Sequence, residues 1–450
     1  MSLLARLQIA AAKLPYALPV PWSAEALASA TGREAAEWEN FAAGTHPLLH
    51  ADVAALLGAF LDVKRDHGSA VERALYASMT PPQLLTRMLA RRPLVFYTGA
   101  DYWKLRSGAT GGGGFDAVGT DAEAPPLTLD AVQSYDEMAL SALVGVATPT
   151  HFCNRGGRRN LGEPATPGTF ERTGVYYGLV GARFERANLM EWKHLVVTPS
   201  QNTAANGYGA ECNAAGGDGD GGSAAALLDA WARHAYRVDH FPSWAEAKAA
   251  PAGAFIDFGE GLLNVALYKR RMRLSIEPFL LDADRLAADA GKRAYVHIVG
   301  LGLGVWMVHG VQARLMLEVY DELLHEHALP HTACLDFSWF PPECTALGDV
   351  AHGGTAARLP GQDIAVRFSK RDPAEPLRGP DLLLAAMYAW DGGSYPGNEY
   401  WLGQLDASGD PAAAACSTID LLSNPDVNPD GLAGGNAVVW ASIGEHASLI

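Results

Sequence analysis

Across residues 1–90 the apolar positions recur mainly at helical spacing. SAEALASATGREAAEWENFAAG (23–44) offers Ser23 as a cap ahead of Ala- and Glu-rich turns, and HADVAALLGAFLDVKRDHG (50–68) keeps the helical period. TPPQLLTRMLARR (80–92) repeats the form, with Thr80 as cap and prolines in the first turn. These segments predict an N-terminal helical region, 1–90, packed as a layer or small subdomain ahead of one enlarged domain over 91–450. RPLVFYTG (92–99) reads as a short strand. The four glycines in TGGGGFDAVGTDAEAPP (110–126) then require a loop, because glycine backbone is costly to fix without side-chain packing. A helix is expected from about Thr128 to Leu143, followed by a long irregular stretch, 148–174, and a Gly-rich linker near 216–222.

From about residue 253 the pattern becomes strand, glycine turn, helix, repeated. GAFIDFGEG, AYVHIVGLGLGVWMV, HTACLDFSWF, DIAVRFSK and LLLAAMYAWDGG carry strands, and VQARLMLEVYDELLHEH (311–327) is an amphipathic helix. This alternation predicts an α/β fold, a largely parallel or mixed sheet flanked by helices. Ligands of such sheets lie at the carboxyl ends of the strands.

Composition narrows the function classes. The 450 residues are 49% hydrophobic and only 19% charged, enough to bury a sizeable core. With 34 Lys and Arg against 50 Asp and Glu, the formal charge of −16 argues against nucleic acid as the main partner, while leaving room for a local phosphate pocket. The five cysteines are scattered and form no C-x-x-C pair, so no zinc ribbon or redox motif is indicated, and a reducing, cytoplasmic setting is the simpler expectation. No signal peptide and no membrane span is expected. No metal or cofactor is expected either: H-E-x-x-H is absent, and Glu191 and His194 are only isolated candidates. The oligomeric state is left open.

Two segments carry most of the chemistry. In VHIVGLGLGVW (296–306), Gly300, Gly302 and Gly304 follow a strand, and amides freed by such a turn can cradle phosphate. G-x-G-x-x-G and Walker A patterns are not met, and a packing turn is the alternative. In AWDGGSYPGNEYW (389–401), Asp391 ends a strand and a tight loop presents Asn398 and Glu399, with Tyr395, Tyr400 and Trp401 as flat surfaces for a base or sugar. Two carboxylates near one pocket suit acid–base work at an anomeric carbon; a divalent metal or a satisfied Asx-turn are the alternatives. Asp410, in a turn with Asp406 and Ser408, either caps the following helix or adds a third acidic group. Asp257 and Glu260 lie at a strand end ahead of Lys269, Arg270, Arg271 and Arg273, a cluster sized for a phosphate or acidic partner, or for a solvated helix face. Arg183 and Glu185 share a face if their segment is extended. G-x-S-x-G is missing, which weakens an α/β-hydrolase assignment.

Both segments, together with THFCNRGGRRN (150–160), GLVGARFE (178–185) and IDFGEGLLN (256–264), resemble a family related to macrodomains and poly(ADP-ribose) glycohydrolases, which includes a bacterial effector that removes ADP-ribose from arginine of ubiquitin. The resemblance covers roughly 90–435. It implies a macrodomain-like α/β/α core that binds ADP-ribose or an ADP-ribosylated protein, and acidic residues that hydrolyse the N-glycosidic bond of ADP-ribosylarginine. Asp391, Glu399 and Asp410 match the acidic positions, with Glu399 standing where the effector-like pattern has aspartate. Gly300, Gly302 and Gly304 would form the diphosphate loop, beside Trp306, Asn398 and Tyr395, and Asp257 and Glu260 would serve adenine or the distal ribose. The G-G-G…Q-E-E signature of polymer-cleaving enzymes is absent. An ADP-ribose reader without hydrolysis is the alternative.

Overall fold

The computed structural model describes residues 1–97, 99–184, 186–212, 220–441 and 446–448. Among the described residues, ten strands form the central sheet: β1 (His46–His50), β2 (Gly145–His151), β3 (Thr173–Val180), β4 (Arg293–Ile298), β5 (Thr332–Ser338), β6 (Thr355–Ala356), β7 (Ile364–Ser369), β8 (Leu382–Trp390), β9 (Val438–Trp440) and β10 (His446–Ser448). Their order is β6-β7-β5-β4-β8-β3-β2-β1-β9-β10. Neighbours β7, β5, β4, β8 and β3 run parallel; β2 is antiparallel to β3 and β1, and β9 is parallel to β1. Parallel strands are covered on both faces, which is why β8 reads as a continuous apolar run rather than an alternation.

Four helices matter most for the site: α1 (Ala51–His67), α2 (Val265–Asp289), α3 (Val311–Glu326) and α4 (Gly409–Cys416). Adjacent tyrosines on β3 show that α2 and α4 lie on opposite faces of the sheet. The Tyr177 hydroxyl donates to Asp282 on α2 at 3.0 Å, while that of Tyr176 meets the Cys416 thiol at the end of α4. The architecture is therefore a mixed α/β fold with helices on both sides. A second, smaller core joins the first helices to the C-terminal segment, packing Leu7, Leu27 and Trp38 against Leu421 and Leu422.

The strands expected after residue 290, and helix α3, form as the pattern predicts. The N-terminal region is helical, but HPLLH within it is strand β1 of the central sheet. Ser23 does not cap. It lies inside helix Trp22–Ser29 and its hydroxyl donates to Asp420 at 2.6 Å. The helix expected over 128–143 is shorter, Tyr135–Ser141, opened by a Ser134–Glu137 capping box. Arg87 takes the carbonyls of Leu129 and Val132 that an earlier turn would have used. Phe255–Asp257 pairs with Leu262–Asn264 in a separate three-stranded sheet rather than joining the central one. The Gly-rich run falls partly outside the described residues; helix Asp220–Ala230 begins within it.

The basic cluster on α2 is used internally, which corrects its reading as a phosphate site. Lys269 pairs with Glu318 and Glu322, Arg270 with Asp52, and Arg273 with Glu277 and Glu326. Arg271 is fully buried. It pairs with Glu191 and donates to Ser275 Oγ (2.9 Å) and to the carbonyls of Ala142 (2.9 Å), Val180 (3.1 Å) and Gly181 (3.2 Å). One guanidinium thus ties α2 to the carboxyl end of β3. Removing it leaves the buried Glu191 carboxylate without its counter-charge and takes a donor from each of three buried carbonyls. We expect Arg271→Leu to cost about 3–5 kcal/mol in a denaturant titration, and Lys269→Ala, at partly exposed pairs, less than about 1 kcal/mol.

Candidate active site

Strands β4, β8 and β3 are consecutive in the sheet, so the segments that follow them leave one edge side by side. The flanking two meet across the end of β8: a Cβ on Gly181 would fall 2.3 Å from the Gly302 amide nitrogen. Between them the chain turns at Asp391.

Asp391 is buried, with 8% of its surface exposed. Its Oδ1 accepts from the amides of Gly393 (2.9 Å) and Ser394 (3.0 Å) and from Ser394 Oγ (3.0 Å); Oδ2 accepts from Asn398 Nδ2. Asn398 also clasps the Phe96 backbone, accepting from its amide at 3.0 Å and donating to its carbonyl at 3.1 Å. The Asx-turn considered from sequence is present, but inside the protein rather than on its surface. Gly397 (φ +98°) sends its amide to Asp410 Oδ1 at 2.7 Å. A side chain there would collide with Ala414, so this turn requires glycine. Asp410, in the first turn of α4, is thereby drawn to the loop, while Ser408 holds the N-cap position that sequence offered to Asp410.

Burial pushes the Asp410 carboxyl well above the usual range, and the charges of Asp391 and Glu399 push it further, against the Gly397 amide. Asp391 is raised by burial and held back by Arg183 and the loop donors. Glu399, half-buried, also lifts the Tyr97 hydroxyl, after burial and Tyr102. The three carboxylates therefore share one electrostatic neighbourhood. The Arg183 guanidinium lies between the rings of Phe96 (5.3 Å) and Trp306 (5.2 Å), with Nη1 3.4 Å from the Asp391 carbonyl oxygen. Its own amide donates to Glu191 at 2.9 Å, so the Arg271–Glu191 pair orients this loop.

The other predicted residues divide. Trp306 joins this group. Gly302 (φ +64°) is a packing position, a Cβ on it falling 3.0 Å from the Ala182 carbonyl, and one on Gly300 would press on Leu303. Gly304 is exposed, with open space at its Cβ. Tyr395, Tyr400 and Trp401 present no flat surface to a ligand: all three are buried. Tyr395 bonds Arg106 and Asp426, Tyr400 bonds Asp420, and the Trp401 indole donates to the Pro396 carbonyl. Asp257 and Glu260 lie on the small-sheet hairpin, where Asp257 accepts from the Gly259 amide at 2.9 Å, and not at the edge of the central sheet. Glu191 is spent on Arg271. His194 stacks between Trp231 (4.4 Å) and Phe241 (5.1 Å), and burial lowers it to about 3. Glu185 lies outside the described residues. Phe96 is the part sequence reading missed, since nothing local marks it as a partner of a residue 302 positions away.

Among the described residues, Glu277, Glu326 and His327 are close enough to hold a metal. Arg273 already neutralises both carboxylates, and the group sits on helices rather than at the loop edge. No helix of the described residues is long and apolar enough to cross a membrane.

The described residues thus form a mixed α/β fold in which buried carboxylates gather at one strand end. The chain matches the family described as ADP-ribosylhydrolase MavL-like over residues 9–446. It is 38% identical over 412 residues to a Drosophila melanogaster protein named ADP-ribosylarginine hydrolase CG3568, and 34% identical over 424 residues to ADP-ribosylarginine hydrolase CG2909 of the same organism. Each comparison covers 90% of this chain and 80% of the relative. The chain belongs to this ADP-ribosylhydrolase family, as the sequence resemblance implied.

Two outcomes follow from the geometry. Gly304→Val, in open space, should leave the thermal midpoint unchanged, whereas Gly302→Val should lower it, because it strains a left-handed residue against Ala182. Asp410→Asn should raise stability at neutral pH. The buried carboxyl titrates above its unfolded value of 3.8, so the native state holds the extra proton and stability falls as pH rises above that value. The gain from Asn should therefore vanish below about pH 3.8, in denaturant titrations across pH.

Proposed function

We propose that this protein hydrolyses the N-glycosidic bond of ADP-ribosylarginine on protein substrates, with Asp391, Glu399 and Asp410 as its acidic centre. The observation that carries the reading is the convergence of three mutually repelling carboxylates at the carboxyl edge of the sheet, in a chain whose relatives are named for that activity. In the proposed reaction water adds to the anomeric carbon, the bond to the guanidino nitrogen breaks, and the departing guanidine takes up a proton. Glu399 is the half-buried member and serves as the group that meets water or the guanidinium. Asp391 already accepts four internal hydrogen bonds; it fixes the loop and places negative charge behind the developing oxocarbenium. Asp410, raised by burial and then by its neighbours, is the proton-holding member. The exposed turn at Gly304, with Trp306, receives the diphosphate side of the ligand. Five unpaired cysteines support a reducing, cytoplasmic setting.

Release of ADP-ribose from an arginine-modified peptide tests the reading against serine-, glutamate- and polymer-linked substrates. Glu399→Gln and Asp391→Asn should each lower turnover by roughly 10²-fold or more, while ADP-ribose binding by calorimetry survives better than turnover. Wild-type turnover in both variants would remove this pair from the centre. Binding with no linkage cleaved would make the protein an ADP-ribose reader.

A further inference from the structure

Beside the acidic centre lies a second space that the reaction does not use. It is a cavity of about 1280 Å³, bounded by α1, the segment 115–122, the segment 188–208 and helix Asp220–Ala230. That exceeds the several hundred Å³ typical of a single small-molecule pocket. Leu189 and Met190 line both this cavity and a small one walled by Arg183, Arg186 and Asp101, so the two regions share a partition. Arg186 bridges it, pairing with Asp101 at 2.6 Å and with Asp116 on the cavity side at 3.7 Å.

The charge of the cavity excludes the nucleotide as its occupant. Lys64 is buried between Glu72 (2.6 Å) and Asp136 (2.7 Å), and Lys193 leans on the same Asp136 at 3.9 Å. With Asp116 paired to Arg186, what remains on the exposed rim is Asp66 and Asp121 against Arg73. A diphosphate would meet net negative charge there. Lysine and arginine are pure donors and carry the complementary charge.

We infer that this cavity seats the polypeptide bearing the modified arginine and selects segments with lysine or arginine beside it; the inference rests on the hydrolase reading. Its test separates the two. Fluorescence anisotropy compares an unmodified arginine peptide flanked by lysines with one flanked by glutamates, on the wild-type chain and on the double variant Asp66→Asn/Asp121→Asn. The lysine peptide should bind roughly fivefold or more tightly, the margin shrinking in high salt and in the double variant. The ADP-ribosylated peptides should follow the same order in kcat/KM, while turnover of ADP-ribosylarginine without a peptide stays unchanged in the double variant. Equal affinity for the two peptides, or a preference untouched by the double substitution, would overturn the inference. Peptide discrimination by a protein that turns over no ADP-ribosylarginine would keep the cavity's role and sink the hydrolase reading.

Discussion

Holding carboxylates together out of water is the constraint around which this fold is arranged. Burial and mutual repulsion both oppose ionisation at the end of β8, and Asp410 bears the sum of them. The surrounding parts answer that cost. Loop amides at 393, 394 and 397 point inward, Asn398 reaches back across the loop, and Arg183 supplies the cation. The loop adopts left-handed geometry at Gly392, Gly397 and Asn398 because an extended path could not aim so many donors at one point. Groups held at such cost are found where a protein needs perturbed acidity, and they set stability against activity.

A second buried charge carries this arrangement into the scaffold. Arg271 rises from α2, holds the last carbonyls of β3 and fixes Glu191, which in turn fixes the Arg183 amide. Every group in that chain is buried, so each must be satisfied by the next. The position of a cation at the site thus depends on a helix on one face of the sheet. The aromatic rings of Phe96 and Trp306, from two distant segments, then confine its guanidinium.

On a chain with a formal charge of −16, an anionic ligand can be received only where local dipoles and cations outweigh the whole. We read the carboxyl edge of the parallel strands, where Arg183 lies, as such a place. The cavity beyond Leu189 and Met190 has the opposite character. An arginine bridged to acidic residues on both sides lies between the two.

The sequence by itself determined the local periodicities: the N-terminal helices, α3, and the strands β4, β5, β7 and β8, whose apolar runs and glycine punctuation leave little choice. It also marked Asp391, Glu399 and Asp410, by a motif dense in glycine, proline and acid and by family resemblance. It did not disclose β1, because five buried residues carry no period that separates strand from helix or loop. Nor did it show that Tyr395, Tyr400 and Trp401 are core residues, or that four clustered basic side chains are each matched by a carboxylate on another element. Asp257 and Glu260 had the right local signature for a strand end, yet partner choice put that strand in a different sheet. Those outcomes were decided by contacts between residues far apart in the chain. The energy of a buried charge or ring depends on what surrounds it in space, and that information exists only once the chain has folded.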